Sequence, residues 1–208
     1  MALPDAWTER AYVEIERFEA GSATEISGAI DLGSLDIDQG DRDFDKVDLL
    51  NLGQIIKATP EDMTTISFDM YSTDFETDED VGVFFLGGTT SPASTGGTLY
   101  AGTDRYKFRV AILFTNDPNV TAAGSSVNTG TATSYAARRL VFVDAYVTSW
   151  KTSYTDGIHK ISVNFKLITR GKIAGDNGAN IAVQRLSGDT TSTLAALGTY
   201  TGTGTTRF

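Results

Sequence analysis

The stretch RRLVFVDAYVTSWKTSYTDGIHKISVNFKL, residues 138–167, decides the fold. In its second half Ile161, Val163, Phe165 and Leu167 alternate strictly with Lys160, Ser162, Asn164 and Lys166. Side chains on a strand point to opposite faces in turn, so this spacing predicts a strand with one buried face. In the first half Leu140, Val141, Phe142 and Val143 are apolar at consecutive positions, which places that strand between two layers. Asp156-Gly157 marks the turn, because both residues accept the positive φ that a twisted hairpin turn requires. The reading is a long antiparallel hairpin towards the C-terminal end, with no catalytic signature on it.

Outward from that hairpin, the cleanest alternation runs through Tyr106, Phe108, Val110, Ile112 and Phe114. Ala11, Val13 and Ile15 give a first strand, and Gly21-Ser22 turns the chain into a second carrying Ile26, Ile30 and Leu32 on one parity. That parity switches at Gly33-Ser34, where a bulge or bend is expected before Leu35 and Ile37. Gln54–Thr59 reads as a strand that turns at Pro60-Glu61-Asp62 into the alternating Ile66, Phe68 and Met70, predicting a hairpin with one buried face. One short helix is expected at about 77–86, with Thr77 as N-cap, Gly87-Gly88 after its end, and Val81, Phe84 and Phe85 as a core-facing stripe. A last short strand spans Ile181 to Leu186. The fold class is therefore mainly β: a β-sandwich or partly closed barrel of about eight strands with one short flanking helix and long loops and arms. Residues 1–10 read as an N-terminal arm, 11–186 as the β domain, and the Thr/Gly-rich 187–208 as a C-terminal arm or tail broken only by Leu194-Ala195-Ala196-Leu197.

Composition narrows the function. The 208 residues suffice for one domain with a real core, and 40% hydrophobic content fits a globular chain. With 17 basic and 27 acidic side chains the formal charge is −10, so the chain is not expected to grip a nucleic-acid backbone. The many aspartates and few lysines point to work in high salt, where screening limits self-repulsion. The absence of cysteine excludes disulfides, thiolate metal sites and cysteine nucleophiles. The start, MALPDAWTER, lacks a basic and an apolar region of the secretory kind, and no apolar run reaches the roughly 20 residues of a spanning helix, so a soluble chain is expected.

The acidic run 36–48, DIDQGDRDFDKVD, invites a calcium reading. An EF-hand loop needs glycine at its sixth position and a bidentate Glu at its twelfth; here Gly40 falls fifth and no Glu closes the run. A solvated loop is the better reading, and no metal or cofactor is assigned. Its length, about 15 residues from Asp36 to Leu50, calls for a role. His159 is the sole histidine and sits at a strand end; no nucleophile elbow, phosphate loop or imidazole cluster accompanies it. Two carboxylates could support glycoside hydrolysis, but Trp7 and Trp150 are the only tryptophans available as sugar platforms. No enzymatic activity is expected.

The order of elements carries a resemblance. A long loop between the second and third strands, the unit LGQIIKATPEDMTTISFDMYSTD, one short helix and the paired strands of 138–167 resemble the major tail tube proteins of long-tailed bacteriophages and tailed archaeal viruses, over about residues 10–186. The resemblance is one of pattern and order, without an invariant motif. It implies a structural virion protein of hexameric rings that stack into the tail tube through which viral DNA passes during ejection. The sheets of neighbouring subunits would join around the lumen, leaving no exposed edge. It further implies that Asp36, Asp38, Asp41, Asp43, Phe44, Asp45, Val47, Leu49 and Leu50, with both termini, make inter-subunit or inter-ring contacts and order on binding. The implied partners are further copies of the chain, a tape-measure protein and double-stranded DNA in the lumen, and tail terminator and baseplate or tip proteins, with no membrane. The implied location is the virion tail, assembled in the host cytoplasm, and the acidic composition would suit a salt-loving host. Six copies would carry roughly −60 per ring, enough to keep DNA sliding rather than sticking if part of it lines the lumen. The alternatives are another virion β-module, such as a capsid decoration or tail-terminator protein, and a carboxylate-dependent β-fold hydrolase.

Overall fold

In a computed structural model the protein is described over residues 10–18, 24–40, 44–49, 53–58, 62–72, 84–85, 88–89, 98–99, 106–128, 135–155, 158–167, 181–186 and 192–200. Among the described residues twelve strands occur in this order: β1 Arg10–Arg17, β2 Thr24–Ile30, β3 Asp36–Asp38, β4 Phe44–Leu49, β5 Gly53–Ala58, β6 Thr64–Ser72, β7 Gly88–Thr89, β8 Thr98–Leu99, β9 Phe108–Thr115, β10 Ala137–Thr155, β11 Ile158–Leu167 and β12 Ile181–Leu186.

The expected hairpin is β10–β11, and it is the wall on which the fold closes. β11 pairs with β10 on one edge and with β6 on the other. The circuit β6, β11, β10, β9, β1, β2 returns to β6, so the mainly β fold is a closed barrel of six strands with extra strands attached. Closure leaves these strands no open edge along the shared lengths. Its interior takes alternate residues from every strand, among them Val13, Ile15, Ile26, Phe68, Met70, Phe108, Val110, Phe142, Val163 and Phe165. Phe165 sits at the centre of an aromatic cluster, with ring centroids 6.1 Å from Phe68, 5.9 Å from Phe108 and 6.3 Å from Phe85.

The mixed apolar pattern of 140–143 has two causes. Val141 and Val143 are buried on the outer side of the barrel while Phe142 fills its interior, so this part does lie between layers. Beyond it, Asp144 adopts φ 57° and the register with β9 shifts between Phe142 and Ala145. This bulge resets the alternation, so that Ala145 and Val147 again point inward. A second shift between Val147 and Ser149 resets it once more before Trp150.

The parity switch near Gly33-Ser34 is a short 3₁₀ turn, Leu32–Ser34, whose N-cap Asp31 accepts a hydrogen bond from Gly33 N at 3.2 Å. It lets the chain run along one edge of β6 first as β2 and then as β3. The seam at β2–β6 is tight: a Cβ at Gly28 would meet Tyr71 O at 2.7 Å and Met70 Cε at 2.8 Å. Only glycine admits that approach.

Two sequence expectations need correction. The hairpin read at Pro60 does not form, because β5 pairs with β4 instead and both edges of β6 are taken by β11 and by β2 and β3. β5 also lacks a buried face, since Gly53–Lys57 are exposed. The acidic segment, read as a loop without structure, contains β3 and β4. Of the expected helix only Phe84 and Phe85 are described; both are helical and buried in the barrel core, while the remainder of 77–86 lies outside the described residues. The Asp156-Gly157 turn and residues 1–9 also lie outside them.

Candidate assembly interface and a covered charge cluster

β4 and β5 form a two-stranded sheet of their own that pairs with no barrel strand. The register sets Phe44, Lys46, Asp48, Gln54 and Ile56 on one face and Asp45, Val47, Ile55 and Lys57 on the other. Phe44 and Ile56 are each 64% exposed, and Val47 and Ile55 each 54%. Both faces thus present apolar side chains to water. A lone two-stranded hairpin is marginal in water, so these side chains are placed to be covered by something else. The two aspartates and two lysines of the hairpin cancel, which makes it a neutral projection on a chain of net charge −10. Lys46 and Asp48 approach to 3.7 Å on one face, both largely exposed.

The residues expected to make contacts divide as follows. Phe44, Asp45 and Val47 are exposed on β4, and Leu49 ends that strand opposite Gly53. Asp36 and Asp38 are exposed on β3, paired with β6 at the root of the hairpin. Asp38 accepts a hydrogen bond from Gly40 N at 3.0 Å, closing a turn in which Gly40 has φ 71°. Asp41, Asp43 and Leu50 lie outside the described residues. Among the described residues no three acidic or imidazole side chains converge on a possible metal position.

A second feature was not anticipated. On the outer face of the barrel Glu14, Glu16, Arg109 and Arg139 are buried together. Two segments cover them: 116–128, which brings Val120, Ala123 and Val127 over β9 and β10, and 192–200, read from the sequence as part of an arm but here packed on its own barrel. Glu16 pairs with Arg109, which lies opposite it on β9, and accepts a hydrogen bond from Tyr200 N at 2.6 Å. Glu14 accepts one from Gly124 N at 2.7 Å. Arg139 donates to Ala123 O at 2.8 Å, Ala195 O at 2.8 Å, Gln184 Oε1 at 3.0 Å and also to Ser125 O. The Tyr200 hydroxyl donates to Asp144 at 2.8 Å, tying segment 192–200 to the β10 bulge.

Burial dominates the electrostatics of this cluster. It pushes the Glu14 carboxyl above its ordinary value, opposed by the Gly124 hydrogen bond and by Arg109 and reinforced by Glu25 and Glu16. It raises Glu16 likewise, against the Tyr200 hydrogen bond and Arg109. Burial also pushes the Arg139 guanidinium down to about 10, with Glu14 opposing. The sequence hid all of this because Glu14 and Glu16 alternate with Val13 and Ile15 as an ordinary solvated strand face would. The available signal was the apolar break at 194–197, which supplies the cover through Leu194 and Leu197.

Elsewhere Lys160 on β11 bridges Asp69 on β6, at 2.5 Å, and Asp31, at 3.8 Å. Burial pushes the Asp69 carboxyl up, but hydrogen bonds from Lys160 and Ser162 outweigh it and leave it below its ordinary value. The His159 ring lies tilted against that of the exposed Tyr154, centroids 4.9 Å apart, at the end of the β10–β11 hairpin.

No protein-family model matches the chain, and no curated protein matches it. Among solved structures it is similar to a chain of the six-fold symmetrised baseplate of the anti-feeding prophage, at 10% identity and TM-score 0.43, over 91% of this chain and 100% of that one. It is also similar to a chain of the PVC sheath/tube terminator of an extracellular contractile injection system in the extended state, at 10% identity and TM-score 0.39, over 85% and 94%. A chain of the sheath–tube complex of that system, also in the extended state, is similar at 10% identity and TM-score 0.39, over 84% and 88%.

Proposed function

We propose that this chain is a structural, non-catalytic subunit of a tail-like particle, assembling through its own copies into hexameric rings that stack into a tube. The observation that carries the reading is the β4–β5 hairpin, a neutral projection with apolar side chains exposed on both faces. Copies of a strongly acidic chain repel one another over most of their surface; the hairpin is where they approach without that cost. Its two apolar faces suit insertion between neighbours, one surface on each side. The rings would carry the tape-measure protein and DNA in their lumen and end on terminator and baseplate proteins, as the sequence resemblance implies.

Negative-stain electron microscopy of the full chain tests this, in low and in molar salt, beside a variant carrying Phe44→Ser, Val47→Ser, Ile55→Ser and Ile56→Ser. Uniform rings and stacks from the wild-type chain, with the variant folded but unassembled, are expected. Rings that never stack would favour a terminator. Single chains under every condition, or stacks that survive the four substitutions, would overturn the role given to the hairpin.

A further inference from the structure

Residues 192–200 are not part of the barrel they cover. The six strands close through β6 and β11 without them. The segment is itself mostly exposed and reaches the barrel through Leu194, Leu197 and Tyr200. Most of its hydrogen bonds go to segment 116–128: Val127 and Leu194 exchange two, 3.0 and 3.1 Å, Leu197 N donates to Gly124 O at 2.9 Å, Asn128 Nδ2 donates to Ser192 O at 3.2 Å and Thr193 Oγ1 to Asn128 O at 2.9 Å. Its bonds to the barrel strands are those from Arg139 to Ala195 O, from Tyr200 N to Glu16 and from the Tyr200 hydroxyl to Asp144. Beneath it and beside it lie the buried charges Glu16, Arg109 and Arg139 together with apolar side chains, among them Leu113, Leu186, Val141 and Val143. Lifting it exposes that hydrocarbon but also returns ions to water, which offsets part of the lost contact. Arg109 Nη1, buried there, makes no hydrogen bond among the described residues.

We propose that residues 192–200 form a strap that opens and closes over the barrel as a unit separate from it, and that Glu14 and Glu16 set how tightly it closes. The charged groups that act on these two carboxyls are Glu25 on β2, Arg109 on β9 and, for Glu14, Arg139 on β10 and Glu16 itself; Asp144 on β10 is buried against the Tyr200 hydroxyl, and Asp117 is the buried acid of the covering segment 116–128. The strap itself contributes no ionisable side chain except Tyr200, and Arg17, the next residue of β1 after Glu16, turns instead to Phe84 and Tyr106. Both carboxyls are held above their ordinary value of 4.5, chiefly by burial: Glu16 beside Tyr200 of the strap, and Glu14 beneath Gly124, whose carbonyl accepts from Leu197 N of the strap. The closed form therefore binds protons more tightly than the open one. Closing is strongest at and below that ordinary value and weakens as pH rises through the raised values, so the strap opens more in neutral and alkaline solution.

Amide hydrogen exchange on the full chain at about pH 5 and about pH 8, expressed as protection relative to intrinsic rates, reads both parts of the proposal. The amides of Val127, Leu194, Leu197 and Tyr200 are expected to be at least about tenfold less protected than those of Ile15 and Val163 in the barrel wall. Their protection should fall as pH rises, by at most about tenfold per unit for each carboxyl titrating, while the barrel amides hold theirs. Glu14→Gln and Glu16→Gln, singly and together, should flatten that dependence. Strap amides that exchange only together with the barrel would overturn the separate strap. A pH dependence that is absent from the wild type, or unchanged in the glutamine variants, would overturn the control by glutamate. The wild-type comparison decides both points even where a variant fails to fold.

Discussion

Arg138 and Arg139 are adjacent in sequence and identical in chemistry, and the structure assigns them opposite consequences. Arg138 is exposed, whereas Arg139 is fully buried with four acceptors. Arg139→Met keeps most of the apolar stem and removes the guanidinium. It leaves the carbonyls of Ala123, Ser125 and Ala195 without this donor, and Glu14 without one of its counter-charges. Removing one partner of a buried charged network costs about 3–5 kcal/mol. Three of the four acceptors lie on the 116–128 segment and β12, outside the strap, so opening the strap cannot relieve the loss. Urea denaturation at neutral pH should show it as a fall of about 2 M in midpoint, for a slope of about 2 kcal/mol/M, with the slope unchanged. Arg138→Ala should stay within about 0.5 kcal/mol of the wild type. A loss below about 1 kcal/mol in Arg139→Met, or an equal loss in Arg138→Ala, would refute the reasoning that burial of this network organises the outer face.

Other perturbations have expected outcomes of similar sharpness. Phe165→Ala empties the centre of the aromatic cluster and should cost about 3–5 kcal/mol by the same denaturation assay. Gly28→Val drives side-chain atoms into the Tyr71 backbone at the β2–β6 seam, and a thermal melt should show a loss of about 1–3 kcal/mol or failure to fold. Lys160→Ala removes a bridge between partly exposed groups and should change stability by no more than about 1 kcal/mol, and less in molar salt. Sedimentation should show larger assemblies as salt rises, because screening shortens the range of repulsion between chains of net charge −10 from about 10 Å at 0.1 M to about 3 Å at 1 M.

The barrel wall was legible wherever large apolar residues fill every second position of a strand, as in β11, whose other face is partly exposed, and in β9, whose other face is buried too. β11 and the interior positions of β9 followed from period-two alternation alone, because burial of Ile161, Val163 and Phe165 forces it. Pairing partners were less legible. Gln54–Thr59 was matched to the strand after Pro60 because turns link neighbours in sequence, whereas β5 turns back on β4 through residues that carry no alternating pattern. β4, FDKVDL, hid inside an acidic run because its two apolar faces each hold charges as well. The charge cluster was invisible for a different reason. Whether an outward-facing glutamate meets water depends on what chain lies over it, and that cover comes from residues more than a hundred positions away, at Gly124 and Tyr200.

The two features outside the barrel core stand in opposite relation to water, and this bears on how the molecule would be used. The β4–β5 hairpin shows Phe44, Val47, Ile55 and Ile56 to solvent, so association that covers them is favourable by about 25 cal/mol for each Å² of apolar surface removed from water. On the outer face of β1, β9 and β10 the covering segments shield Glu14, Glu16, Arg109 and Arg139 from solvent beside apolar side chains, so rehydration of these ions offsets part of the cost of uncovering the face. A single folded chain therefore carries one surface that gains by being covered and one whose cover can be lifted. Since the closed six-strand barrel depends on neither, both can change between the free and the assembled chain without unfolding it.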